Sequence, residues 1–309
     1  MTPAPTATTS LPTPADVAAA AERIAPYTRR TPVLTVRVDG HPLTLKLEHL
    51  QTTGAFKLRG ALNAMAAAGA PPQVVTASGG NHGLGVAAAA RMLGTEALVY
   101  VPETVPEVKA RRLEQSGAGL IRTGAHYAEA AAAARTRADG EGLRYLHAYD
   151  DRDVVAGQGT VGREIAEDAP DCDSVAVAVG GDGLAAGVRL GAGARRVVGV
   201  EPEGCQSLHA ALAAGGPVDA PVDSVASSAL GAARVGEVPF GVLRERPVET
   251  ALVTDAEITA ARDRLWEEFR IAAEPAAAVP FAAWLAGRVP GAHPCLVVCG
   301  ANASWTPDG

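Results

Sequence analysis

Short apolar runs rich in valine and alanine alternate along the chain with longer stretches in which alanine, leucine and charged residues recur at helical spacing. The runs at 73–77, 97–101, 119–122, 174–179, 196–200 and 295–298 predict strands. The stretches at 83–93, 106–116, 125–140 and 184–192 predict helices between them. Alternation of this kind predicts an α/β fold, with largely parallel sheets covered by helices on both faces. In such sheets ligands bind where the carboxyl ends of strands meet helix N-termini. The glycine-containing loops that follow the strands are therefore where chemistry is expected.

Composition narrows the partners. With 309 residues the chain is long enough for about two domains of roughly 150 residues each. A net charge of −7 and only 4% aromatic residues leave neither a basic face nor a stacking surface, so no nucleic acid or anionic membrane is expected, only a small molecule. The four cysteines, Cys172, Cys205, Cys295 and Cys299, form no CxxC pair, which fits reduced thiols in the cytoplasm and no metal site. The opening MTPAPTATTSLPTPAD has neither a basic segment nor an apolar one, so 1–13 reads as a disordered lead-in and not as a signal peptide. No apolar run reaches the ~18 residues needed to span a bilayer.

The most conspicuous loop is VGGDGL, with glycines at 180, 181 and 183, between a buried strand and a helix. Glycines allow close backbone approach to a phosphate, and the helix N-terminus adds free N–H groups and a positive dipole. The spacing Gly181-x-Gly183-x-x-x-Gly187 is not the GxGxxG of a dinucleotide site, although Glu201 lies where a ribose-binding acid would be expected. The loop by itself indicates a phosphate and leaves its owner open.

Other segments identify the owner. The chain reads EHLQTTGAFKLRGA over 48–61, SGGNHG over 78–83, AGQGT over 156–160 and CGAN over 299–302. With the glycine loop these motifs, in this order, resemble the fold-type II pyridoxal-phosphate (PLP) enzymes, specifically the serine/threonine dehydratase and serine racemase branch. The likeness runs from about Tyr27 to Asn302. It implies two three-layer domains with largely parallel sheets, like tryptophan synthase β, and PLP in the cleft between them. The larger domain would be 14–73 with 148–309, the smaller 74–147. Lys57 would carry the cofactor as a Schiff base and act as the catalytic base, in keeping with lysine chemistry generally, and Phe56 would pack beside the ring. Asn81 would bond the 3′-oxygen of the cofactor, and Ser78, Gly79, Asn81 and His82 would surround the substrate carboxylate. Gly180, Gly181, Asp182, Gly183 and Leu184 would hold the phosphate. Cys299 would face the pyridine nitrogen as a neutral partner. The reaction implied is β-elimination from a hydroxy amino acid such as serine or threonine, giving a 2-oxo acid and ammonia, in a cytoplasmic homodimer.

Departures from the family pattern bear on that expectation. Gly79 replaces the serine that serves racemases as a second base, which favours elimination. Asp182 interrupts the glycines; it is expected to turn aside and cap the next helix, the alternative being weakened cofactor binding. Ala55 replaces a serine, and Ser227 and Ser228 stand where Asp-Gly is usual, bordering the active-site side. Glu201 matches an acid of the metal site of some relatives, but Ser207 stands in place of another, so no required metal is expected. Glu274 is expected to be a structural helix-start residue. The chain ends soon after CGAN, so feedback control through a C-terminal regulatory domain is not expected. Action on an unusual β-substituted amino acid, β-replacement, and a catalytically silent binding protein stay open as alternatives.

Overall fold

In the computed structural model, which describes residues 10–302, two sheets face one another across a cleft. Helix α1 (Pro14–Ile24) leads to the strands β1 (Val33–Val38) and β2 (His41–Lys46) and to helix α2 (Lys57–Ala67). The smaller sheet follows as β3 (Gln73–Ala77), α3 (Asn81–Leu93), β4 (Glu96–Val101), α4 (Glu107–Gln115), β5 (Gly119–Arg122), α5 (Tyr127–Glu141) and β6 (Arg144–Tyr145). The chain then returns through α6 (Arg152–Asp168), β7 (Ser174–Ala178), α7 (Gly183–Gly191), β8 (Arg196–Pro202), α8 (Ser207–Ala214) and α9 (Ser227–Leu230). It finishes with α10 (Glu237–Glu245), β9 (Glu249–Val253), α11 (Asp255–Phe269), α12 (Pro275–Leu285) and β10 (Pro294–Val297).

The larger sheet has the order β1-β2-β10-β7-β8-β9 and is parallel except for the β1–β2 hairpin. The smaller, β5-β4-β3-β6, is parallel throughout. Every residue of β7 and of β10 is buried, as central parallel strands require. The hairpin was not signalled by the apolar runs, because β1 is an edge strand whose side chains are largely half-exposed.

Residues 1–9 of the expected lead-in lie outside the described residues. Residues 10–13 are not disordered: Leu11 packs against the main core, Pro12 is buried and Thr13 caps α1 in a capping box with Asp16. An apolar pair before a good N-cap is enough to fix the chain there.

Helix α2 positions the site. Its residues from Leu58 to Met65 are all buried, so it is wedged between neighbours and presents no face to water. Against α6 the backbones nearly touch: a Cβ on Gly157 would lie 2.7 Å from the Arg59 carbonyl oxygen. Its polar side is held by Arg59, which donates to both oxygens of Glu48 (2.8 Å each) and both of Glu164 (2.7 and 2.9 Å). Lys46 adds a 2.6 Å bond to Glu164, and Thr31 donates to Glu48. Burial alone would raise the Glu48 carboxyl, but the Arg59 guanidinium overcomes it and holds the group below the usual carboxylate range.

Candidate active site

Three strand carboxyl ends open on one cavity of about 490 Å³ between the sheets: β3 runs into Ser78, β7 into Gly180 and β10 into Cys299. The start of α2 closes its floor. Every residue assigned from the sequence to cofactor or substrate lines this one cavity: Phe56, Lys57, Ser78, Gly79, Asn81, His82, Gly180, Gly181, Asp182, Gly183, Leu184 and Cys299.

Lys57 opens α2, and its position is set by the backbone on either side. The Phe56 N–H donates to the Cys299 carbonyl at 3.1 Å, and Ala55 pairs with Gly300 in an antiparallel bridge. The lysine and the cysteine therefore sit at fixed separation although 242 positions apart in the chain (299 less 57). The Lys57 ammonium donates to the Ala148 carbonyl at 2.8 Å and lies 5.1 Å from the Phe56 ring centroid. Burial depresses its pKa to about 8, against the opposing pull of Cys299 and Glu274. Burial also pushes the Cys299 thiol above its ordinary value, so it stays neutral.

The loop after β3 is tied to the other wall. Asn81 donates to Glu274 at 2.8 Å and accepts from the Asn302 amide at 2.8 Å. Glu274 also accepts the Asn302 backbone N–H at 3.1 Å, and burial raises its carboxyl despite these bonds. Glu274, expected to be a structural helix-start residue, stands at the N-cap of α12 without a capping bond and lines the cavity wall, where it ties Asn81 to Asn302. His82 faces the Leu146 carbonyl through Nε2 at 3.1 Å. A carbonyl can only accept, so Nε2 carries the proton and Nδ1 is a bare acceptor, buried and without a partner. Burial drives the His82 pKa to about 3, helped by the Lys57 charge, so the ring is neutral.

The glycine turn lies where β7 meets α7, whose first-turn N–H groups have no intrahelical acceptors. Tyr149 packs under it so closely that a Cβ on Gly181 would sit 2.3 Å from the tyrosine ring. Asp182 departs from expectation. It occupies the N-cap of α7 but makes no capping bond; its φ of +72° is left-handed, and both carboxyl oxygens are buried without a partner. Left-handed backbone aims the side chain away from the helix amides, so the residue cannot cap. Burial, aided by the Glu201 carboxylate, raises its pKa well above the usual value. Glu201 itself accepts the Leu208 and His209 N–H groups at 2.7 and 2.9 Å, while Ser207 donates to the Gly180 carbonyl at 2.7 Å.

Tyr149, Lys109, Arg112 and Asn302 also line the cavity and were not assigned from the sequence. Asn302 belongs to a segment already singled out; the other three carry no signal in periodicity or spacing. Ser227 and Ser228 border the cavity, as expected for their segment.

The model of the family described as "Pyridoxal-phosphate dependent enzyme" matches residues 24–300. The chain belongs to the pyridoxal-phosphate dependent enzymes. Among relatives of this family, an L-threonine ammonia-lyase of Geobacter sulfurreducens is 38% identical over 257 residues, covering 81% of this chain and 64% of that protein. The chain thus spans somewhat less than two thirds of that relative. A catabolic L-threonine dehydratase of Staphylococcus aureus is 33% identical over 286 residues, 89% of this chain and 83% of the relative. A threonine deaminase of T.th. superposes with a TM-score of 0.89 at 36% identity, covering 96% of this chain and all of that one. Maize serine racemase superposes with a TM-score of 0.88 at 28% identity, over 96% and 95%.

The cavity fits the pyridoxal-phosphate cofactor of this family. It offers a half-buried amine hydrogen-bonded to a carbonyl and not to a carboxylate, a close-packed glycine turn at a helix N-terminus, and a neutral thiol.

Proposed function

We propose that the chain is an ammonia-lyase that eliminates the β-substituent of a hydroxy amino acid such as L-threonine or L-serine, giving a 2-oxo acid and ammonia. The observation that carries this reading is the convergence of Lys57, the glycine turn and Cys299 on one cavity. It is supported by relatives named for threonine and by the residues around the amine.

Bound PLP supplies an electron sink for the Cα of an amino acid joined to it. Lys57 would hold the cofactor and, once displaced by the incoming amine, take up the Cα proton. The depressed pKa serves both tasks, since each needs the neutral amine. The backbone N–H groups from Gly180 to Leu184 would grip the phosphate, and Asn81 would bond the ring oxygen. Cys299, kept neutral by burial, would contact the pyridine nitrogen without favouring its protonation. The turn from Ser78 through Gly79 to Asn81 and His82, at the start of α3, would bind the substrate carboxylate. With Gly79 there is no side chain on that turn position to return a proton from the opposite face, which favours elimination over racemisation.

In this reading the two sheets act as two domains, 14–73 with 148–309 and 74–147, and the enzyme works as a cytoplasmic homodimer. The four free cysteines suit a reducing compartment, and among the described residues no helix is long and apolar enough to cross a membrane. The test is direct: purified protein should show visible cofactor absorbance and release oxo acid from serine or threonine. Lys57→Ala should lose both. A Lys57→Ala protein that keeps its colour and its turnover refutes the assignment.

A further inference from the structure

We infer that α4 provides a second anion subsite, in which Lys109 and Arg112 select amino acids bearing a side-chain carboxylate or phosphate besides the α-carboxylate. The two residues are three apart on α4 and so share a face, and both line the cavity. Neither is in a salt bridge among the described residues, and the Arg112 guanidinium is engaged at the uncharged Asn302 Oδ1, at 2.6 Å. Arg111, on the outward side of the same helix, is by contrast paired with Glu107 at 3.2 Å. Of the carboxyls of the cavity wall, Glu274 feels the charge of both and offsets them in part, but it is bonded to Asn81 and the Asn302 N–H, and one carboxylate against two cations leaves a positive excess.

An α-carboxylate already has its own donors at the start of α3. Two further cations beside that turn, on the helix packed against α3, are more than a serine or threonine needs, and a guanidinium with free N–H groups beside an ammonium suits a planar or tetrahedral oxyanion. This inference rests on the β-elimination reading. The bonds broken are then Cα–H and Cβ–O. 3-Hydroxyaspartate would yield oxaloacetate and ammonia; O-phosphoserine, with one water consumed, would yield pyruvate, ammonia and phosphate.

The test compares ammonia release by the PLP-loaded enzyme from L-serine, L-threonine, 3-hydroxyaspartate and O-phospho-L-serine. At least one anionic substrate should exceed both neutral ones in kcat/KM by about tenfold or more, the scale of one hydrogen bond to a charged group. Which of the two responds assigns carboxylate or phosphate. Lys109→Gln should bring the ratio toward one, chiefly through KM, while Lys109→Arg keeps it. A loaded enzyme that turns over serine or threonine with no preference for either anionic substrate overturns the inference and leaves the β-elimination reading standing. If none of the four releases ammonia although cofactor is bound, the β-elimination reading fails first, and the inference with it.

Discussion

The Asn302 side-chain amide donates to the Asn81 Oδ1 at 2.8 Å, joining the loop after β10 in the larger sheet to the first turn of α3 in the smaller. The same Asn302 amide donates to the Thr53 carbonyl at 2.8 Å, and Asn81 passes the connection on to Glu274. One short network thus fixes how far apart the two walls of the cavity stand, next to the amine that opens α2.

Asn81 and Asn302 are therefore expected to be energetically coupled. Each replacement by alanine should cost about 1–3 kcal/mol, because it leaves half-buried hydrogen-bonding groups unpaired beside the buried Glu274. The double variant should cost less than the sum by about 0.5–3 kcal/mol. Urea denaturation of the four proteins of the cycle measures this, and strict additivity would show that the contact carries no energy.

Cofactor capture should reveal the depressed Lys57 pKa. The neutral amine is the reactive form, so the rate at which apoenzyme takes up PLP should rise about tenfold per pH unit below pH 8 and level off above it. Stopped-flow absorbance gives the profile. A rate still climbing from pH 9 to 10 would mean that the lysine is ordinary and solvated.

Arg59→Met should destabilise the fold by about 3–5 kcal/mol, since it strands the buried Glu48 carboxylate and leaves Glu164 with Lys46 alone. The sign of the acid response follows from Glu48. Its folded pKa is lowered, so its contribution is present above the unfolded carboxylate pKa and is lost as pH falls through the folded one. Wild type should accordingly keep this contribution until the pH drops below the ordinary carboxylate range. Arg59→Met should instead weaken as pH rises through and above that range, because the buried Glu48 carboxyl then ionises without its guanidinium.

Asp182→Gly should stabilise the protein by about 1–2 kcal/mol by relieving a left-handed non-glycine residue. A second contribution depends on pH. The folded pKa of Asp182 is raised, so wild type is best off below the unfolded aspartate pKa and loses stability as pH rises toward the folded value. The advantage of the glycine variant should widen over that interval. Chemical denaturation at several pH values checks it, and a constant gap would show that the carboxyl is not desolvated.

The parallel strands and the helices between them were legible because central strands bury both faces and so appear as unbroken apolar runs; β7 and β10 lie within a residue of the expected bounds. The cavity was legible through motifs whose residues stand at strand ends. The β1–β2 hairpin shows no unbroken apolar run and was missed on that ground, although Asp39-Gly40, both with positive φ, is the turn pair that such a hairpin favours. Tyr149, Lys109 and Arg112 were missed for a different reason: they reach the cavity from helix and loop faces whose orientation depends on packing between distant segments. Asp182 was misread because a capping residue and a left-handed intruder look alike in one-letter code; only the backbone angle separates them.

Helix α2 shares one apolar cluster with β3 and α3, while Arg59 on the same helix is bonded to Glu48 and Glu164 on the other side. Excising residues 74–147 to obtain either sheet as a separate fragment would bare the Leu58, Leu62 and Met65 side chains to water. Neither piece should be recoverable as a soluble, ordered product, however plainly the two sheets divide on inspection.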